Sequence, residues 1–148
     1  MEALTSDQDV ENLSADTILE LLANRRRRYL LYALRGRDDP IELSTLAEQV
    51  AGWELDVPPD EVAKNEYKSV YVSSVQCHVP KLADAGVVDH DEENHTVVLS
   101  DNFEQLEPYL RVVVKDEPEN SILHGALQTE SGDGLLGQIR ENVARLKH

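Results

Sequence analysis

Apolar residues recur at three- and four-residue spacing along most of the chain, the pattern of amphipathic helices. Ile18, Leu19 and Leu22 follow Ser14 and Asp16, either of which can cap, and predict a helix over 14–23. Asn24 is suited to cap a second helix from Arg25 to Arg35, which Gly36 would end. Asp38-Asp39-Pro40 reads as a turn and Ile41-Glu42-Leu43 as a very short strand. Ser44 or Thr45 opens a third helix, with Thr45 and Glu48 spaced as a capping box and Leu46, Val50 and Trp53 on one face. Val57-Pro58-Pro59-Asp60 breaks the chain and caps a longer helix running to about Ala85. Its apolar stripe is Tyr67, Tyr71, Val75, Val79 and Leu82, and Gly86 closes it.

The pattern then changes. Val87 to His90 and Thr96 to Leu99 flank the polar stretch Asp91 to His95, which predicts a β-hairpin. A helix from about Asn102 to Val112 carries Phe103, Leu106 and Leu110, with Pro108 expected to kink it. Beyond Val114 the composition turns to Gly, Ser and Glu, and a linker around Glu130 to Gly134 precedes an amphipathic helix from about Leu135 to Leu146. The implied organisation is a loose acidic N-terminus (1–13), a domain of helices with a hairpin (14–114), and a linker with an amphipathic C-terminal helix (115–148). The fold class is mainly α with a small β-hairpin, α+β.

Length and composition narrow the function. A chain of 148 residues with 41% hydrophobic residues is one folded domain. Its charge is unusual: 14 Lys plus Arg, only five of them Lys, oppose 29 Asp plus Glu for a net −15. This fits a cytoplasm rich in salt, or an acidic surface that keeps a protein soluble and repels nucleic acid in ordinary buffer. At molar salt the Debye length is only ~3 Å, so net charge then stops counting against a nucleic-acid ligand. The single cysteine, Cys77, excludes an internal disulfide and a Cys-cluster metal site. No apolar run approaches the ~18 residues of a membrane span, and Met1 to Glu11 lacks the basic start of a signal peptide, so a cytoplasmic location is expected. No Gly-rich phosphate loop or nucleophile elbow is present, so neither an enzyme nor a cofactor is expected.

Three helices followed by a hairpin is the order of the winged helix-turn-helix. Arg25 to Leu34 (RRRRYLLYAL) resembles the first core helix of small winged-helix repressors, and Leu46-Ala47-Glu48 resembles the first arm of their helix-turn-helix. His78 to Val88 (HVPKLADAGVV) is similar to the H-L-x-x-L-x-x-A-G-L-V signature with which the recognition helix of ArsR-type regulators runs into the wing. The His-Val-Pro-Lys-Leu wording, arginine run and acidic bias resemble a haloarchaeal winged-helix domain family of unknown function. The resemblance covers about Asp16 to Val112 and implies a DNA-binding transcriptional regulator. Two departures stand out: Gly52 to Glu66 is longer than a tight helix-turn-helix connection, and the wing (Gly86 to Asp101) has five acids and no Lys or Arg.

On a wheel centred on Val75, the side facing away carries Ser69, Val70, Ser73, Gln76, Cys77 and, near its edge, Lys81. Gln suits adenine, Ser is permissive, and Lys81 suits a phosphate; the alternative is a plain solvated face. His78 falls beside the buried stripe, as a packed core histidine. In the second helix Leu30, Leu31 and Leu34 point inward, with Arg25, Arg28, Tyr29, Tyr32 and Arg35 opposite. Cations at a helix N-terminus oppose its dipole, so the arginine run asks for a reason: phosphate contact, a subunit interface, or pairing with local carboxylates. The Asp89 to His95 stretch, with its carboxylates and two histidines, reads as a solvated turn rather than a metal loop.

The DNA-binding candidates are therefore Ser69, Ser73, Gln76, Cys77, Lys81, Arg25, Arg28 and Arg35, with double-stranded DNA as partner. Two-fold sites imply a homodimer, for which Phe103, Leu106 and Leu110, or the heptad-spaced Leu136, Ile139 and Val143, offer surfaces. The competing reading is a winged-helix module that binds another protein through its acidic wing.

Overall fold

The computed structural model describes residues 12–118 and 121–130. Ser14 stands in extended backbone and its hydroxyl accepts from the Thr17 amide at 3.1 Å, which starts α1 (Ala15–Leu22). Asn24 starts α2 (Arg25–Leu34) in the same way, its Oδ1 accepting from the Arg26 and Arg27 amides at 2.9 and 3.2 Å. The chain then turns at Gly36, whose φ of 79° suits glycine, and enters β1 (Ile41–Glu42).

Next comes α3 (Leu43–Leu55). The expected Thr45–Glu48 capping box does not form, because the helix begins earlier with no side-chain cap. Pairing of β1 holds Ile41 and Glu42, the Leu43 amide donates to the His95 carbonyl at 2.8 Å, and Leu43 is fully buried. A 3-10 turn (Pro59–Glu61) leads to α4 (Lys64–Ser73), a π-turn (Ser74–His78) and α5 (Val79–Asp84), one continuous helical path. It stops at Gly86, with φ 77°, where a Cβ would meet the Asn102 side-chain nitrogen Nδ2 at 2.7 Å.

The hairpin of β2 (Val88–Asp91) and β3 (Thr96–Leu99) is extended by β1 into a three-stranded antiparallel sheet of order β1-β3-β2, with Ile41 and His90 both opposite Val97. Then α6 (Phe103–Val113) runs through Pro108 without ending. Proline deprives only the Glu104 carbonyl of its donor, and both residues are exposed, so water can serve it. After a 3-10 turn (Val114–Asp116), α7 (Ser121–Glu130) lies in the segment before the expected linker, where the pattern predicts no helix. It forms because Leu123 and Leu127 are buried against the rest, with α3 as a neighbour, and the Ile122 amide donates to Asp56 Oδ1 at 3.0 Å.

Three expectations are corrected by burial. Phe103, Leu106 and Leu110 are buried within the protomer, so they cannot form a dimer surface; Tyr109 and Val112 occupy the outside of α6. Leu136, Ile139 and Val143 lie outside the described residues. Tyr29 and Tyr32 are fully buried rather than outward, so α2 is the central helix of the core. Val70 is buried too, although a uniform wheel placed it on the outer side.

The π-turn explains the last correction. Val70, Ser74, His78 and Leu82 are all buried at four-residue intervals. In a pure α-helix the twelve steps from Val70 to Leu82 would drift about 120° around the axis. A π-turn takes up one extra residue, roughly 100°, and keeps one face inward over the whole path. Among the described residues no helix is long and apolar enough to cross a membrane.

Candidate nucleic-acid interface

The outer side of α4 and its π-turn exposes Lys64, Asn65, Lys68, Ser69, Val72, Gln76 and Cys77. All but Lys64 line an open groove of about 600 Å³, with Ser73 at its wall. Helical spacing of three and four residues produces this stripe, and Glu66, the only acid between Val62 and Ala83, is not part of it. Of the residues expected to read DNA, the structure brings Ser69, Gln76, Cys77 and Ser73 together here. Lys64, Asn65, Lys68 and Val72 were not foreseen; the spacing by fours along Lys64, Lys68, Val72 and Gln76, and from Asn65 to Ser69, was the available signal.

Ser73 and Lys81 are already engaged. Ser73 Oγ accepts from Arg26 Nη1 at 3.1 Å and donates to the Val70 carbonyl at 3.2 Å. Lys81 Nζ lies 3.2 Å from a Glu20 carboxylate oxygen on α1, away from the groove lining, and this exposed pair is weak.

The arginine run is distributed inward. Successive residues of a helix point about 100° apart, so four neighbours reach four places. Arg25 is exposed, its guanidinium 5.9 Å from the Tyr29 ring centroid. Arg26 forms a fork on Glu54, at 2.6 and 3.0 Å, and reaches Ser73. Arg27 is buried, donating to the Leu21 and Glu20 carbonyls at the end of α1, both at 2.9 Å, and lying 3.3 Å from His78 Nδ1. Arg28 forks onto Glu117 at 2.6 and 3.1 Å and donates to the Leu22 carbonyl at 2.7 Å. Tyr32 donates its hydroxyl to the same carboxylate at 2.6 Å.

Arg28 is therefore corrected as a phosphate contact, and Arg35 also faces a carboxylate of its own chain. Arg28 is held by Glu117, and Arg35, mostly buried, lies 3.8 Å from Glu107. Pairing with carboxylates and helix-end carbonyls explains how an arginine run is tolerated at the start of α2. The hydrogen bond to Glu117 raises the Arg28 pKa above the ordinary range. Burial first, then the bond to Glu117, drives the Tyr32 hydroxyl far above the usual phenol range.

His78 is a packed core histidine, as its position beside the apolar stripe implied. A guanidinium has no acceptor, so Arg27 must donate to Nδ1 and the ring is neutral with its proton on Nε2. Burial, reinforced by the Arg27 cation, lowers its pKa below the ordinary imidazole value.

At the hairpin turn, Asp91, Glu92, Glu93, Asn94 and His95 are exposed. The Asp91 carboxylate accepts from the Glu93 and Asn94 amides, both at 3.1 Å, and from Asn94 Nδ2 at 2.8 Å, and the Asn94 bonds depress its pKa. Among the described residues no group of three or more His, Cys, Asp and Glu side chains is placed to hold a metal ion.

Compared with known proteins, residues 19–98 match a family described as a domain of unknown function (DUF7344). No curated protein and no solved structure matches the chain.

Proposed function

Because the chain belongs to the DUF7344 family over residues 19–98, more than half of its 148 residues, and that family's description carries no activity, we propose a function from the residues themselves. The protein is a winged helix-turn-helix DNA-binding regulator that lays the helix Lys64–His78 in the major groove. One observation carries this reading: in a chain of net charge −15, the outer stripe of that helix carries two lysines, amides and hydroxyls and no acid. The helix order and the β1-β3-β2 sheet support the same reading. Gln76 and Ser69 meet base edges, and Lys64 and Lys68 meet phosphates at the start of the helix, where the dipole also favours anions.

The wing takes no part in holding phosphate, since its turn exposes Asp91, Glu92 and Glu93. That acidic tip is the specific feature favouring the second reading, a protein partner docked on the wing. Two copies on a two-fold site would read enough sequence, and Leu19 of α1 with Tyr109 and Val112 of α6 are exposed apolar residues suited to pairing. Fluorescence anisotropy with duplex DNA in molar potassium chloride tests the reading. Lys68→Ala should weaken binding to all sequences alike, and Gln76→Ala should remove the preference among them; no binding by the unaltered chain at any salt concentration would refute it.

A further inference from the structure

The arginine run is not absorbed by the DNA reading, and its contacts have a common destination. Arg26 touches Ser73, the residue immediately before the π-turn, and Arg27 touches His78, the residue that completes it. The two arginines are adjacent on α2, while their targets, Ser73 and His78, are five positions apart across one π-turn. Each guanidinium is itself immobilised: Arg26 by the two-pronged bond to Glu54 of α3, Arg27 by two carbonyls at the end of α1.

We infer that Arg26 and Arg27 are positioning residues that hold the two ends of the π-turn and so fix the rotation of Gln76 and Cys77 relative to Asn65, Lys68, Ser69 and Val72. A π-turn relaxes into α-helix by expelling one residue, which rotates everything on one side of it by about 100° relative to the other. Such a rotation would carry Gln76 and Cys77 out of line with the rest of the stripe, or expose His78 and Leu82. The same pins transmit the placement of α1 and α3 to the helix. The consequence for sequence preference rests on the DNA reading proposed above; the mechanical role does not.

Two measurements on the full chain separate these. Amide hydrogen exchange at residues 74–78 reports the π-turn directly. The ratio of affinities for a duplex enriched from a random library and for its scrambled counterpart, followed against salt, reports base selection. In Arg26→Ala, exchange at 74–78 should rise about tenfold, the scale of one lost hydrogen bond, with α6 amides unchanged. The affinity ratio should fall by about the same factor while binding to scrambled DNA and its salt slope stay constant. Ser73→Ala, which alters no charge and guards against a folding defect, should shift both in the same direction. Arg26→Lys should fail to rescue, because an ammonium lacks the fork that spans Glu54 and Ser73. Unchanged exchange at 74–78 overturns the inference, as does a uniform loss of affinity with a smaller salt slope, which would make Arg26 a phosphate contact. If the unaltered chain binds no duplex, the DNA reading falls, and the exchange result alone decides the pinning.

Discussion

Glu117 is the residue whose loss should cost the fold most per atom removed. Its side chain is 1% exposed and sits 89 positions along the chain from Arg28, whose side chain is 17% exposed. The carboxylate accepts three bonds: two from Arg28 and one from Tyr32. Glu117→Ala removes all three and leaves a guanidinium and a phenol in a site built for an anion. Breaking a buried pair from one side costs about 3–5 kcal/mol. A bond to a charged group contributes about 1.5–3 kcal/mol, so three non-additive bonds are consistent with that range. Against a total stability of about 5–15 kcal/mol the variant should be marginal, melting roughly 10–20 °C lower. Tyr32→Phe removes only one bond and should cost about 1–2 kcal/mol. Urea denaturation followed by circular dichroism at fixed high salt measures both. Removing both charges together, in Arg28→Met with Glu117→Leu, should be milder than Glu117→Ala alone, because no orphaned charge remains. A cost below 1 kcal/mol for Glu117→Ala, or simple additivity in the double variant, would show that Arg28 and Glu117 do not act as a coupled buried pair.

Other outcomes follow from the same geometry. His78 has a folded pKa below its unfolded value of about 6.5, so the unfolded chain takes up the proton first and stability should fall as pH drops below that value; urea midpoints between pH 5 and 7 should show this slope in the unaltered chain and lose part of it in His78→Gln. With 29 acids against 14 basic residues, dilution from molar to millimolar salt should lower the melting temperature through self-repulsion; an unchanged melt would remove the salt-adapted reading. Val112, 62% exposed on α6, should be part of any dimer surface, so light scattering should find Val112→Asp monomeric where the unaltered chain is dimeric.

Local signals were readable and distant ones were not. Ser14, Asn24, Gly36 and Gly86 act within a turn of their own position, and the elements they bound lie where the pattern predicts them. The exposure of Ser69, Gln76 and Cys77 was legible for the same reason. By contrast, the side-chain partners of Arg26, Arg27 and Arg28 lie 28 to 89 positions away, so nothing in RRRR distinguishes Arg28, held by Glu117, from Arg25, left at the surface. A uniform helical period also hides the π-turn: it assigns Val70 outward and Val75 to the centre of the core stripe, whereas Val70 is buried and Val75 only half-buried. Nor does a Ser- and Gly-containing segment announce α7, whose stability comes from burying Leu123 and Leu127 rather than from its own propensity.

Mapping occupancy of the chain across its host genome, with Gln76→Ala mapped in parallel, decides whether the stripe on α4 reads duplex DNA as proposed. The proposed function requires discrete sites sharing a short two-fold motif, with preference relaxed in Gln76→Ala by about 1–3 kcal/mol at the base pairs it contacts. Occupancy no higher than background, or sites identical in the two maps, would contradict it.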